Sequence, residues 1–236
     1  MIRPFQARGE ITRRIRLLNA RLEKAYGPQR WSGKDSPLDE LIWTILSQNT
    51  NDKNSSEGSR RLKARFPRWE EALAAPVRSI AAAIRVSGLA NIKAPRIKNI
   101  LRQIQQKQGR LSLDFLHDTP VGEAREYLRR FKGVGDKTIA CVLLFACGKP
   151  AFPVDTHVLR VSKRLWLIPG SATAEKAHLL LQELVPSKLM YSFHILLILH
   201  GRRTCRARNP ECARCVIQKF CGWYATGRFR ESGGCA

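Results

Sequence analysis

The sequence predicts an all-α fold, and two observations support this prediction. Apolar residues recur at three- and four-residue intervals along most of the 236 residues, which is the spacing of one helix face. No stretch of useful length alternates apolar with polar residues as a half-buried strand does. We expect two helical domains, one formed by residues 30–148 and the other by residues 1–29 together with residues 149–236.

The first half of the chain contains most of the predicted helices. Four apolar residues at helical spacing predict a first helix over residues 8–26. Ser36, followed by Pro37 and Asp39, is typical of a capping box with proline at the first helical position, and predicts a helix through Leu46. Further helices are expected over residues 53–66, 69–75, 77–86, 94–108 and 120–131.

The second half continues as helices separated by short turns. A helix over residues 136–147 follows a glycine-containing turn. Asp155 and Thr173 are residue types that cap helices, and they predict helices ending near Trp166 and Val185. A last long helix is expected over residues 188–201.

The chain is strongly basic. Lys and Arg number 42 against 19 Asp and Glu, which gives a formal net charge of +23 and a pI of about 10.6. Such an excess implies a polyanionic partner, because each neutralised phosphate releases counterions and adds affinity. Nucleic acid is the first expectation, and an anionic membrane surface is the alternative. Membrane insertion is not expected, because the apolar runs are far shorter than the ~20 residues of a spanning helix.

Four of the seven cysteines are grouped near the end of the chain. Cys205, Cys212, Cys215 and Cys221 have the spacing C-x6-C-x2-C-x5-C. Thiolates select zinc or iron–sulfur centres, and structural zinc sites usually have two close pairs where this sequence has one. The spacing therefore predicts a metal site and leaves both metals open. Basic residues surround it and suggest a platform for a backbone phosphate: Arg202, Arg203, Arg206, Arg208, Arg214 and Lys219.

A glycine turn joins two predicted helices in the middle of the chain. Gly133-Val134-Gly135 permits a tight turn, and the helix that follows presents free backbone N–H groups that can bind a phosphate oxygen. Taken alone, the motif is equally consistent with a simple turn between helices. The motif Val154-Asp155-Thr156-His157 follows downstream, and the combination is more specific than either part.

Three motifs in matching order resemble the helix–hairpin–helix DNA glycosylases of the endonuclease III family. They are G-V-G-x-K-T, V-D-T-H-V-x-R and L-H-G-R-x-T-C-x-A-R-x-P-x-C-x-x-C-x5-C. The resemblance implies a six-helix, barrel-like domain that carries the hairpin, and an iron–sulfur cluster domain, with DNA in the cleft between them. It also implies that the cysteines hold a 4Fe–4S cluster rather than zinc. We expect a monomer that binds duplex DNA with damaged bases or abasic sites, in the cytoplasm at a prokaryotic nucleoid.

The resemblance assigns the catalytic roles to Lys137 and Asp155. The carboxylate would stabilise an oxocarbenium-like sugar, and the amine would attack the sugar and form a Schiff base. Elimination would then cut the strand 3′ to the abasic site. We expect a bifunctional glycosylase and lyase that removes oxidised pyrimidines. The alternatives are a monofunctional glycosylase and a DNA-binding iron–sulfur protein without catalysis.

The resemblance also identifies residues that contact DNA. A base inside the duplex must be flipped out, and a side chain must fill the gap. Gln48 or Asn49 is the expected wedge and Leu89 a second one beside the opposite base, the alternatives being a polar loop and a buried leucine. His157 lines the base pocket, holds the aspartate loop or is purely structural. The remaining contacts are assigned to Gly133, Gly135, Thr138 and Arg203.

The hairpin departs from the family pattern at two positions. Lys132 replaces the usual proline, and Asp136 replaces a basic residue. The carboxylate of Asp136 suits the helix dipole but repels DNA phosphate. It also favours the protonated amine of the adjacent Lys137, which would slow nucleophilic attack. The sequence therefore predicts weaker or more selective activity than in a typical relative.

Overall fold

The computed structural model describes residues 7–33 and 36–227, and all regular structure within these ranges is helical. The predicted all-α class is confirmed; Cys235 lies outside the described residues. The α-helices are α1 (Arg8–Tyr26), α2 (Pro37–Ser47), α3 (Asp52–Arg65), α4 (Trp69–Ala74), α5 (Val77–Ala83), α6 (Ala90–Gln108), α7 (Val121–Arg129), α8 (Asp136–Cys141), α9 (Thr156–Arg164), α10 (Ala174–Leu184), α11 (Met190–Arg203) and α12 (Gly222–Ala225).

The chain divides into two compact units. The central unit is Gly33–Lys149, and the terminal unit combines Met1–Ser32 with Pro150–Ala236. The sequence places the corresponding boundaries at residues 30–148 and at 1–29 with 149–236.

Helix α2 lies at the core of the central unit. It packs against α3, α6 and α8, so its apolar residues are enclosed on several sides. Leu41, Ile42 and Ile45 are almost completely buried. Burial of each such side chain contributes roughly 1.5–3 kcal/mol. The core therefore fixes both ends of α2, and the loop that follows its C-terminal end is held on a rigid support.

Helix α11 has the corresponding place in the terminal unit. It packs against α9 and α1, and Phe193, Leu196 and Leu197 are fully buried. Gly201 lets α9 approach closely, because a Cβ at this position would lie 3.0 Å from the Cβ of His157. The glycine of the L-H-G-R motif therefore has a packing role.

Helix α2 begins at Pro37 as expected, but its capping box is only half formed, and α6 begins earlier than expected. Ser36 accepts a hydrogen bond from the Asp39 N–H at 3.3 Å, as a capping residue does. The carboxylate of Asp39, however, accepts from Trp69 Nε1 at 2.6 Å and pairs with Lys63 at 2.8 Å. Helix α6 begins at Ala90, four residues before the expected start, after Leu89 in the left-handed conformation.

The end of α8 also differs from expectation. The α-helix stops at Cys141, and a π-helical segment, Val142–Ala146, follows it where the sequence predicts a regular helix through residue 147. In the described ranges no single helix is long and apolar enough to cross a bilayer. One pair bent by 114°, Ala174–Leu184 with Ser187–Arg203, meets the length and composition criteria together.

Candidate functional site

The glycine turn depends on one of its two glycines. Gly133 has φ +83°, a conformation that disfavours other residues, and a Cβ there would lie 2.3 Å from Arg96 Nε. Gly135 has φ −96° and ψ 179°, and it precedes α8 as its N-cap. No atom lies within 4 Å of the position that a Cβ on Gly135 would occupy. Gly133 is therefore required by the fold itself, whereas Gly135 leaves space in front of the helix N-terminus.

Gln48 connects the loop after α2 to this turn. Its amide nitrogen donates to Thr138 Oγ1 at 3.3 Å and to the Gly133 carbonyl at 3.5 Å. Its amide oxygen accepts from Arg96 Nη1 at 2.7 Å. The side chain of Gln48 is therefore committed to the hairpin in this structure, which leaves Asn49 as the better wedge candidate of the two. Arg96, which has no assignment from the sequence, packs against both Gln48 and Gly133.

Asn49 and Leu89 have a feature in common that the sequence does not reveal. Both are left-handed, with φ +53° and +49°, and both are exposed, Leu89 by 47%. A leucine in this conformation is strained, and such strain persists only where the surroundings impose it. The alternative of a buried leucine is wrong. Each side chain therefore projects from a loop of the central unit.

Lys137 lies in the first turn of α8, where the sequence places it. It is partly buried, and no hydrogen bond or ion pair with another described residue occupies its ammonium group. Its neighbour Asp136 is engaged, because Asp136 Oδ1 lies 2.6 Å from Arg129 Nη2. The charge of Asp136 is thus partly balanced, and the Lys137 amine is available for chemistry.

Asp155 is the N-cap of α9, in the terminal unit. Its Oδ1 accepts the Val158 N–H at 2.7 Å, and the second carboxylate oxygen is left for other contacts. His157 Nδ1 lies 3.1 Å from Arg160 Nη2, and Arg160 also donates to the Gly201 carbonyl at 2.8 Å. Burial lowers the pKa of His157, with Asp155 opposing this shift. His157 is thus anchored in the packing of α9 and α11.

The four cysteines surround one cavity at the end of the terminal unit. All four cysteines line it, together with Arg164, His200 and Trp223. Within residues 7–33 and 36–227, no three or more His, Cys, Asp or Glu side chains meet closely enough to hold a single metal ion. The donor set is four cysteine sulfurs that line one pocket, which fits a multi-atom centre that soft ligands bind.

Arg164 of α9 supports the chain that carries the cysteines. Its Nη1 donates to Cys205 Sγ at 3.3 Å and to the Arg206 carbonyl at 2.7 Å, and its Nη2 donates to the Ala207 carbonyl at 3.1 Å. The guanidinium also lies 4.2 Å from the centre of the Trp223 ring. Arg164 therefore holds Cys205 and the loop after it in place, as neighbouring side chains do for cysteines that bind a metal.

His200 makes a second contact to a cysteine. Its Nε2 lies 3.7 Å from Cys215 Sγ, and its Nδ1 lies 3.0 Å from Tyr26 Oη. Burial and then the charge of Arg160 lower the pKa of His200 to about 4, so the ring is neutral at neutral pH. A neutral ring that accepts from Tyr26 donates from Nε2 to the Cys215 sulfur. Burial raises the pKa of Cys215 to about 12, and a bound metal removes such a thiol proton.

The basic residues near the cysteines are only partly free. Arg206 pairs with Glu211 at 2.6 Å, and Arg214 lies 3.7 Å from the same carboxylate. Arg203 lies over the Tyr26 ring, with 5.7 Å from its Cζ to the ring centre. Its role as a phosphate ligand stays a prediction.

Comparison with known proteins decides the family. The profile described as HhH-GPD superfamily base excision DNA repair protein matches residues 42–187, which include the hairpin, Lys137 and Asp155. The chain belongs to the HhH-GPD superfamily. A second profile, the iron–sulfur binding domain of endonuclease III, matches residues 205–221. The stretch from Cys205 to Cys221 is therefore an iron–sulfur binding domain.

Individual relatives indicate which kind of HhH-GPD protein this chain resembles. The chain is 43% identical to a putative DNA glycosylase of Arabidopsis thaliana over 72% of its own length, but the match spans only 58% of that relative. It is 34% identical to endonuclease III of Sulfolobus acidocaldarius, over 78% of this chain and 81% of the relative.

A solved structure shows the same fold. Endonuclease III in a non-covalent complex with DNA aligns with a TM-score of 0.78 and 27% identity, over 93% of this chain and 98% of that one. This HhH-GPD protein is a base excision repair DNA glycosylase of the endonuclease III type.

Proposed function

We propose that this glycosylase is bifunctional: it releases oxidised pyrimidines from duplex DNA and cuts the strand 3′ to the abasic site. The observation that carries the proposal is Lys137, which lies in the first turn of α8 directly after the glycine turn and has no hydrogen bond or ion pair with another described residue. A monofunctional glycosylase that activates water needs no amine at this position. Asp155, with one carboxylate oxygen used for capping, supplies the negative charge that the sugar cation requires.

The chemistry follows from these two groups. The Lys137 amine attacks C1′, the bond from C1′ to the base breaks, and the departing base takes up a proton. The attached nitrogen then loses a proton, the C1′–O4′ bond breaks as O4′ takes up a proton, and the opened sugar is left as an iminium at C1′. Removal of a C2′ proton expels the 3′ phosphate as the C3′–O bond breaks. Hydrolysis of the iminium restores the lysine. Asp155 stabilises the positive charge at C1′ and accepts the amine proton.

Borohydride trapping tests the lysine directly. Incubation with an abasic-site duplex and borohydride should give a covalent complex, and Lys137→Gln should abolish it. Lys132→Gln removes the same charge from the exposed side of the same turn and is the matched control, which should still be trapped. Base release without strand cleavage or trapping would support a monofunctional enzyme. Tight binding without base release would support the non-catalytic alternative.

Asn49 and Leu89 are proposed as the residues that replace the flipped base and press beside the opposite base. Their exposure and their left-handed backbone support this role, since a wedge must project from a fixed support. Asn49→Ala and Leu89→Ala should each reduce the preference for lesion-bearing over undamaged duplex. A panel of duplexes with oxidised pyrimidines, mismatched thymine or alkylated purines, each opposite all four bases, tests the substrate class.

The cofactor proposed for the iron–sulfur binding domain is a 4Fe–4S cluster. The cavity lined by Cys205, Cys212, Cys215 and Cys221 supports it, because four thiolates around one volume match one cubane. Such a cluster cross-links the C-terminal coil and supports its fold. The purified protein should be brown and hold about four irons and four sulfides per chain. A colourless protein with one zinc would contradict this assignment. We further propose that the enzyme acts on DNA as a monomer.

A further inference from the structure

Lys93 of α6 is a lysine buried within the central unit. Only 1% of its surface is exposed. Its ammonium group donates to the Leu46 carbonyl and to the Ser87 carbonyl, both at 2.7 Å. Burial lowers the pKa of Lys93, and the nearby charge of Arg96 lowers it further. A buried amine is costly unless it is hydrogen-bonded, so the two carbonyls and the lysine hold one another in place.

The two carbonyls lie a few residues before the two projecting residues. Leu46 precedes Asn49 by three residues, and Ser87 precedes Leu89 by two. The two segments are 47 and 6 residues away from Lys93 along the chain, so only the folded structure brings them to one amine. Lys93 thus links the segments from which both loops begin, at Leu46 and at Ser87.

Further contacts join the same two segments. Ser87 Oγ donates to the Asn54 carbonyl at 3.3 Å, at the start of α3. Gly58 allows this approach, because a Cβ there would lie 1.8 Å from Ser87 Oγ. The loop with Asn49 is therefore tied to the Ser87 segment on both sides: through Lys93 before it and through Asn54 after it.

We propose that Lys93 is a positioning residue that sets the separation of Asn49 and Leu89, so that both can enter the DNA at a lesion together. The inference rests on the proposed wedge role of those two residues. Two side chains that enter one base stack must arrive at a fixed spacing, and flexible loops would lose affinity by having to order on binding. A short link between two loop roots fixes that spacing before DNA binds.

Lys93→Met tests the proposal, because methionine keeps much of the length of the side chain and removes the donors. The measurement is the ratio of dissociation constants for undamaged duplex and for a duplex with a stable abasic-site analogue. We expect this ratio to fall roughly tenfold, the effect of about one hydrogen bond, while affinity for undamaged duplex stays within about twofold. Equal weakening for both duplexes would overturn the proposal.

Lys98→Met is the matched control. Lys98 lies on the same helix and donates to a backbone carbonyl too, that of Ala75, which precedes neither projecting residue. The control should leave the ratio unchanged. A fall in the ratio equal to that of Lys93→Met would assign the effect to general loosening of α6 and overturn the proposal.

A double-mutant cycle separates this inference from the wedge assignment. In a background with Asn49→Ala and Leu89→Ala, Lys93→Met should have no further effect on the ratio. If the double-alanine background itself leaves the ratio unchanged, the wedge assignment fails. If that background lowers the ratio and Lys93→Met lowers it by the same factor with or without the wedges, the positioning role fails.

A second variant applies if Lys93→Met does not fold. Ser87→Ala removes the Asn54 link alone and should lower the ratio by a smaller factor. An unchanged ratio would contradict the proposal.

Discussion

Asp136 Oδ1 lies 2.6 Å from Arg129 Nη2, so the carboxylate that replaces the usual basic residue of the hairpin has a cationic partner on α7. Arg129 also pairs with Glu126 at 3.3 Å. The pair is partly exposed, with 42% of the Asp136 side chain accessible, and exposed pairs contribute little to stability. We therefore expect substitution of Asp136 to change DNA binding more than folding.

We predict that Asp136→Asn strengthens binding to undamaged duplex and raises the slope of log Kd against log salt by about 1, because Arg129 becomes free to meet a phosphate. Asp136→Arg should raise affinity further. Glu126→Gln is the control, since it removes the same charge from the other partner of Arg129. Unchanged binding and cleavage in Asp136→Arg would remove any role for this carboxylate.

The two hairpin glycines should respond differently to substitution. Gly133→Ala forces a side chain into a left-handed residue beside Arg96, and should lower the free energy of unfolding by about 1–3 kcal/mol. Gly135→Ala should change it by less than ~0.5 kcal/mol but weaken DNA binding if a phosphate lies against this turn. Thermal unfolding and DNA titration of both variants check this. Equal destabilisation would contradict the observed backbone.

Capping and catalysis by Asp155 can be separated. Asn caps helices as well as Asp does, so Asp155→Asn should unfold at the same temperature as the parent while base release is lost. Asp155→Ala should lose base release and also about 1 kcal/mol of stability. Thr173→Ala removes the N-cap of α10 and should lose only stability. An active Asp155→Asn would limit this residue to capping.

Arg164 should control how firmly the metal centre is retained. Arg164→Met removes the donors to Cys205 Sγ and to two carbonyls of the following loop, and should make visible absorbance decay several-fold faster under a chelator. Lys163→Met removes the same charge from the neighbouring position of α9 and should decay at the parent rate. Decay followed by absorbance and released iron gives the comparison; equal rates for the two variants would exclude this role.

Much of the fold could be predicted because it depends on local pattern. Helix periodicity and capping residues indicated the helices, and Asp155 and Thr173 cap α9 and α10 as expected. Boundaries were less accurate where backbone conformation is unusual. Leu89 is left-handed, and it moves the start of α6 to Ala90. The carboxylate of Asp39 binds Trp69 and Lys63 rather than the N-terminus of its own helix.

The candidate site was predictable in its residue types and not in its connections. Gln48 and Asn49 are equivalent candidates in sequence, and only the contact of Gln48 with Thr138 separates them. Lys93 has the appearance of a surface lysine in a basic helix, and no local signal indicates that it is buried. Its pairing with Leu46 spans 47 residues, a separation that periodicity cannot address.

The sequence by itself determined the helical class, the thiol set of the iron–sulfur binding domain and the glycine turn before α8, because each is a property of neighbouring residues. The catalytic role of Lys137 rests on the family resemblance and stays a prediction. The tertiary structure alone decided which polar side chains are engaged. Asp136 has its charge balanced by Arg129, and Lys93 joins the roots of two loops. The physical reason is that a buried or paired polar group takes its partners from whatever the fold brings within hydrogen-bond distance.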